Sequence, residues 1–398
     1  MTQAFSKIRV LDFSQVVAGP LAAQLLNVLG AEVIKIEQPG AGDQMRVLMT
    51  VENDPVPNMS PAFMTTSYGK KSIAINLKSP DAHDVIMRLA ATCDVVVENF
   101  RAGVIDKLGF GYDAIRAVKP DIVYCSISGY GQSGPKARKP AYDGAMQAAS
   151  GMMASTGHPD TGPTRTTFLP VDSATGITAA YAIAAALFRR ATTGEGQYLD
   201  VSMLDSAISV QAANFACLMA GGEEPGLIGN TSPTALPTAN CFATADGYVL
   251  LVAIRENQVT SLFNAIGLGA MLDDPKFADN KARTTHGDEV LRIIRETLKQ
   301  QPSDHWVEVL EAATVPVSKV RSLAEVVQDP QLDTRNIITD VPAPGGAEGT
   351  IKLVGSAFVA NEDGPSVSGP PPVLGEHNDE VLRMLGYTDQ DIAALQLG

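Results

Sequence analysis

Asp172 stands in Leu169-Pro170-Val171-Asp172-Ser173-Ala174-Thr175-Gly176, directly ahead of an Ala-rich run that reads as a helix over 173–190. A carboxylate at that position has two uses. It can cap the helix, accepting its free backbone N–H groups. It can also serve as a nucleophile, since a helix N-terminus keeps a carboxylate ionised and nearby N–H groups can stabilise a developing oxyanion. Position alone leaves both open. A second stretch, Ser14-Gln15-Val16-Val17-Ala18-Gly19-Pro20, follows the first strand-like run. Loops at the C-terminal ends of parallel strands bind ligands, although a plain structural turn fits this one equally well. It lacks GxGxxG, and no GxxxxGK[ST] occurs in the chain, so dinucleotide and P-loop chemistry are disfavoured. Arg165, shortly before Asp172, can pair with a free carboxylate of a substrate or stand as an ordinary surface Arg.

The elements that must position these residues alternate. Runs at 8–13, 32–36, 72–77, 95–97 and 122–126 read as strands, with helices at 20–29, 80–91 and 113–118 between them. That alternation implies parallel βαβ units and a doubly wound α/β sheet. Helices at 142–154 and 173–190, a strand at 198–202 and a helix at 204–220 follow. A Gly/Pro/Asn/Thr-rich segment, 221–237, reads as a linker or active-site loop. The expected layout is a large domain over 1–220, a linker over 221–237 and a small α+β domain over 238–330. A second linker over 331–350 then leads back to the large domain over 351–398.

Composition narrows the function classes. Of the residues, 45% are apolar and 19% charged, which suits a globular chain with a sizeable core. A net charge of -14 argues against a nucleic-acid face. The four cysteines and five histidines are scattered, so no metal site is expected, and Cys125 and Cys217, in apolar surroundings, read as buried hydrophobes. The first nine residues hold no apolar signal core, and the apolar run at 176–188 is too short to span a bilayer. A cytoplasmic protein without a membrane partner is the expectation.

Several short motifs, weak singly, occur in an order that is specific. They are Val10-Leu11-Asp12-Phe13 with Val17-Ala18-Gly19-Pro20, Gly30-Ala31-Glu32-Val33-Ile34-Lys35-Ile36-Glu37, and Val97-Glu98-Asn99-Phe100-Arg101 with Asp106-Lys107-Leu108-Gly109. Gly194-Glu195-Gly196-Gln197 and Leu374-Gly375-Glu376-His377 complete the series. With these motifs the chain resembles, nearly end to end, the class III CoA-transferases, the family of formyl-CoA and carnitine CoA-transferases to which α-methylacyl-CoA racemases are related. The resemblance implies a Rossmann-like large domain built from both termini, a small α+β domain, and an interlocked homodimer. It implies that Asp172 is the covalent nucleophile, working through an aspartyl anhydride and an aspartyl-CoA thioester. Coenzyme A is then a substrate with no tightly bound cofactor, exchanged between an acyl-CoA and a carboxylic acid. Positions implied to contact CoA are Val17, Ala18, Gln38, Ile75, Lys78, Asn99, Phe100, Arg101, Lys107, Lys139 and Tyr142. Gln15, Arg165, Gly229 and Asn230 fall where the acyl and acceptor groups are expected.

The chain also departs from the pattern. Val17 replaces a Gln, Gln38 a basic residue, and Gly229-Asn230-Thr231-Ser232-Pro233 a glycine run of the formyl-CoA transferases, which makes formyl-CoA and oxalate less suitable substrates. Racemases of the family place a His where this chain has Tyr142, so proton abstraction is the lesser alternative. CoA transfer between two carboxyls of one dicarboxylate is the other.

Overall fold

The structure, a computed structural model, describes residues 3–51, 56 and 58–398. Its chain forms two compact units. Unit 1 comprises 1–150, 166–215 and 330–398, and unit 2 comprises 151–165 and 216–329.

Unit 1 is built on a parallel sheet. Its first five strands are β1 (Arg9–Asp12), β2 (Glu32–Glu37), β3 (Lys71–Ala74), β4 (Val95–Glu98) and β5 (Val123–Ser128). A short antiparallel pair in unit 2, β6 (Gly157–His158) and β7 (Gly162–Pro163), precedes the last strand of the large sheet, β8 (Gln197–Ser202). The strand order is β3-β2-β1-β4-β5-β8, with every pair parallel. The helices on this framework are α1 (Ala18–Asn27), α2 (Pro61–Thr65), α3 (Ala82–Ala91), α4 (Val104–Lys107), α5 (Tyr112–Val118), α6 (Asp143–Ala149), α7 (Pro170–Thr193) and α8 (Met203–Ser209).

Side chains alternate across each strand, and the sheet sorts them into two cores. Leu11, Ile34, Ile73, Val96 and Tyr124 meet α3 on one face. Val10, Val33, Val95, Val97 and Cys125 meet α1 and α7 on the other. Burial on both faces explains why these strands read as near-continuous apolar runs. Strand order reverses between β1 and β4, which opens the crevice where such sheets bind ligands.

Unit 2 carries an antiparallel sheet of β9 (Ala239–Ala243), β10 (Tyr248–Val252) and β11 (Val317–Lys319), ordered β11-β10-β9. The amphipathic helix Gly287–Leu298 turns Val290, Ile294 and Leu298 into its core. Near the C-terminus, β12 (Ile338–Pro342) pairs with β13 (Thr350–Val354), so the stretch 331–350 is half of a hairpin as well as a connection. The expected helix over 204–220 is two helices, Met203–Ser209 and Ala212–Met219.

Two expectations are corrected. The long apolar helix begins at Pro170 and runs 24 residues, so by length and composition it could cross a membrane. It packs one face on α1, while Ile177, Tyr181 and Phe188 lie exposed on it. Cys217 is exposed, because the helix that carries it buries none of its residues.

Candidate active site

The loop after β1 is held from below by buried ions. Lys70 Nζ donates to Asp12 Oδ2 at 2.9 Å and to the Pro20 carbonyl at 2.9 Å. Lys35 Nζ lies 2.8 Å from Asp43 Oδ2 and donates to the Ser14 carbonyl at 2.6 Å. Val16 N–H donates to Asp43 at 3.0 Å, and the Ser14 N–H to Asp12 at 2.9 Å. These four ionic side chains are essentially excluded from solvent. Burial alone would raise the Asp12 pKa, but Lys70 and Lys35 outweigh it and hold the carboxyl below its usual range. From the side, Asn99 accepts the Gln15 N–H at 2.9 Å and returns a bond to its carbonyl at 2.7 Å. Val16 is consequently held at φ +70, a conformation that costs a β-branched residue strain.

Asp172 reaches the same place from α7. Because Pro suits the first helical position, α7 opens at Pro170 and Asp172 falls in its first turn. Asp172 is therefore not the cap, and the flanking Leu169 makes no side-chain cap either. The cap comes from another helix. Asp143, buried at the start of α6, accepts the N–H of Val171 at 2.8 Å and of Asp172 at 3.0 Å on one carboxylate oxygen. Its other oxygen accepts from Gln147 Nε2 at 2.6 Å, and Gln147 Oε1 accepts the Thr166 N–H at 3.1 Å. The Asp172 carboxyl receives no comparable help. Burial first, and the Asp143 charge second, push its pKa up to about 7. The expectation that helix-cap geometry keeps Asp172 ionised is thus overturned, since those N–H groups already serve Asp143.

Close packing sets the depth of this carboxylate. Gly176, one turn on, faces α1 so tightly that a Cβ there would lie 2.8 Å from the Ala18 carbonyl oxygen.

Asp172, Gln15, Val17 and Ala18 line one cavity of about 360 Å³. Asn99, Phe100 and Arg101 from the loop after β4 complete its wall, with Lys139 and Tyr142 from the loop ahead of α6. Gln38, Ile75 and Lys78 line a second cavity of about 460 Å³ over the ends of β2 and β3. Gln15 and Phe100 belong to both walls. Lys107 is exposed on α4 and lines neither cavity. Arg165, Gly229 and Asn230 belong to unit 2. Among the described residues, no group of His, Cys, Asp or Glu is placed to hold a metal ion.

The cap that Asp143 supplies to α7 was not read from the sequence. The Asp at the start of a helical run was visible, but its service to a different helix is a tertiary contact with no local signature. Glu98 was missed likewise. It is buried at the end of β4, accepts the Phe100 N–H at 2.8 Å, and has a pKa pushed up to about 7, mainly by burial.

Comparison with known proteins agrees with this architecture. Residues 5–378 match the model of CoA-transferase family III. The chain is 38% identical to a succinate–glutarate CoA-transferase of Agrobacterium fabrum, over 96% of this chain and 95% of that one. It is 36% identical to an acetyl-CoA:oxalate CoA-transferase of Acetobacter aceti, over 84% and 85% of the two chains. A crystal structure of a CAIB/BAIF family protein from Brucella suis superposes with a TM-score of 0.86 at 30% identity, covering 97% of this chain and all of that one. The parallel sheet, the crevice at its reversal point and these matches together place the chain in CoA-transferase family III, as a CoA-transferase of class III.

Proposed function

We propose that the chain transfers coenzyme A from an acyl-CoA to a small carboxylic acid, with Asp172 as the covalent nucleophile. The observation that carries this is the Asp172 carboxyl, nine-tenths buried yet lining a cavity at the sheet's reversal point. The Asp172 carboxylate attacks the donor thioester carbonyl, the C–S bond breaks, and CoA thiolate leaves a mixed anhydride. The thiolate then attacks the aspartyl carbonyl, releasing the donor acid and leaving an aspartyl-CoA thioester. The acceptor carboxylate displaces CoA to form a second anhydride. CoA finally attacks the acceptor acyl carbon and frees Asp172. No net proton transfer is required, and exclusion of water protects the anhydrides.

The adjoining cavities suit an elongated cofactor-like substrate. CoA would place its thiol by Asp172 and run past Phe100 toward Gln38, Ile75 and Lys78, with Arg101 and Lys139 near its polar segments. Lys107, exposed on α4, is assigned to the phosphate end. The acids named for the relatives, succinate and glutarate, favour a short dicarboxylate here. Arg165 is proposed to pair with a substrate carboxylate, and Gly229 and Asn230 to be substrate-binding residues; all three belong to unit 2. Tyr142, in place of a base, lines the Asp172 cavity, which favours transfer over proton abstraction. The test is trapping with hydroxylamine: glutaryl-CoA plus hydroxylamine should leave a hydroxamate on the Asp172 peptide, by mass spectrometry. An unmodified peptide in a protein active with glutaryl-CoA refutes the assignment.

We further propose that unit 1 and the α+β unit are the two domains of an interlocked homodimer. The chain leaves unit 1 after 215 and re-enters it at 330. Ile177, Tyr181 and Phe188 leave α7 with an exposed apolar face that a second copy would cover.

A further inference from the structure

Asp143 has no part in the double displacement just described, yet it is the buried carboxylate tied most directly to the nucleophile. It is 3% exposed, and one of its oxygens takes both the Val171 and Asp172 N–H groups. Gln147 occupies the other oxygen, and Gln147 is itself held by the Thr166 backbone. This is a braced, specific arrangement with two consequences. The N–H groups at the start of α7 are used up, so they neither stabilise the Asp172 carboxylate nor form an oxyanion hole for its acyl derivatives. A second negative charge also stands behind the nucleophile.

We propose that Asp143 is a positioning residue of the transfer reaction: it fixes the first turn of α7, takes up that turn's N–H groups and sets a second carboxylate behind the nucleophile. The proposal rests on Asp172 being the nucleophile. Its chemical logic is that a carboxylate stabilised by helix N–H groups is a poor nucleophile, whereas a buried one facing a like charge is reactive. The elements packed against α7 offer other titratable groups, namely Asp205 on α8, Tyr198 and Asp200 on β8, and Tyr124 and Cys125 on β5. Arg101, Lys139 and Tyr142 line the cavity. The Asp143 charge acts on Asp172 in the same upward direction as burial.

The test compares wild type with Asp143→Asn. The donor is glutaryl-CoA, with kcat and KM followed from pH 5 to 9 and hydroxylamine trapping run in parallel. The expected result is an acid limb of kcat/KM displaced downward by about one unit. The rate at pH 8 should fall several-fold through lost basicity, with KM for the donor little changed. Glu98, the other buried carboxyl near this pH, responds to Asp106 and Asp200 rather than Asp143, so a limb belonging to Glu98 would not move. An unmoved limb, with Asp172 labelled in wild type, overturns the role of Asp143 alone. An unlabelled Asp172 in active wild type overturns the nucleophile and this role together. If Asp143→Asn does not fold, Asp143→Ser, neutral and still a capping acceptor, gives the same readout.

Discussion

A buried carboxylate without a cationic partner is expensive, and Asp172 is one. Its pKa is raised from 3.8 to about 7, so at neutral pH a large fraction is protonated and cannot attack. Activity should therefore rise with pH through about 7, visible as an acid limb in kcat/KM and as pH-dependent hydroxamate trapping. The same shift has a stability sign. An acid whose folded pKa lies above its unfolded value destabilises the fold once it ionises, beginning above about pH 4 and reaching its full extent above about pH 7. Asp172→Asn removes that cost. It should abolish transfer yet raise stability at pH 8 by up to about 4 kcal/mol, with little gain at pH 4, checked by urea unfolding at both values. Sequence singled out Asp172 beside a helix start but misjudged its surroundings. Pro170 signalled a helix start three residues before the expected one, whereas the cap from Asp143 depends on α6 folding against α7, which no local pattern encodes.

At the scale of elements, the strands were legible because both faces of the sheet are buried, leaving runs such as Val95-Val96-Val97 almost wholly apolar. The ions within them were not. Asp12 and Lys35 sit in register across β1 and β2, and sequence gives no sign that their charges turn inward to hold the loop at 14–20. Lys70→Met should leave Asp12 buried without its closest cation and cost about 3–5 kcal/mol, read as a lower urea midpoint. Because Lys70 also holds the Pro20 carbonyl, the variant should bind acyl-CoA less tightly. The α1–α7 contact is equally unforgiving. Gly176→Ala sets a methyl against the Ala18 carbonyl oxygen, so one helix must shift. Overpacking of about 1–3 kcal/mol, less the roughly 1 kcal/mol that Ala gains over Gly in a helix, leaves a modest loss of stability. The kinetic effect should exceed it, since that shift displaces Asp172 from the loop it faces, and kcat should drop more than Tm.

For the whole molecule, the proposed threading of two chains has a consequence that ordinary docking lacks. A docked dimer held by the exposed face of α7 dissociates on dilution and exchanges subunits. Two chains passed through each other cannot separate without opening a domain, so exchange is limited by unfolding, whose rate climbs steeply with temperature. Dimers of isotopically light and heavy protein, mixed at nanomolar concentration, should therefore give no hybrid by native mass spectrometry over hours. Hybrids should appear after unfolding and refolding the mixture. Rapid hybrid formation under native conditions would show a docked dimer instead. Tyr181→Glu separates these further, because Tyr181 is among the most exposed apolar side chains of α7. In a docked dimer a charge there should yield monomer, whereas in an interlocked one the dimer should persist with a lower Tm, as the buried charge weakens packing while the topology still holds the chains together.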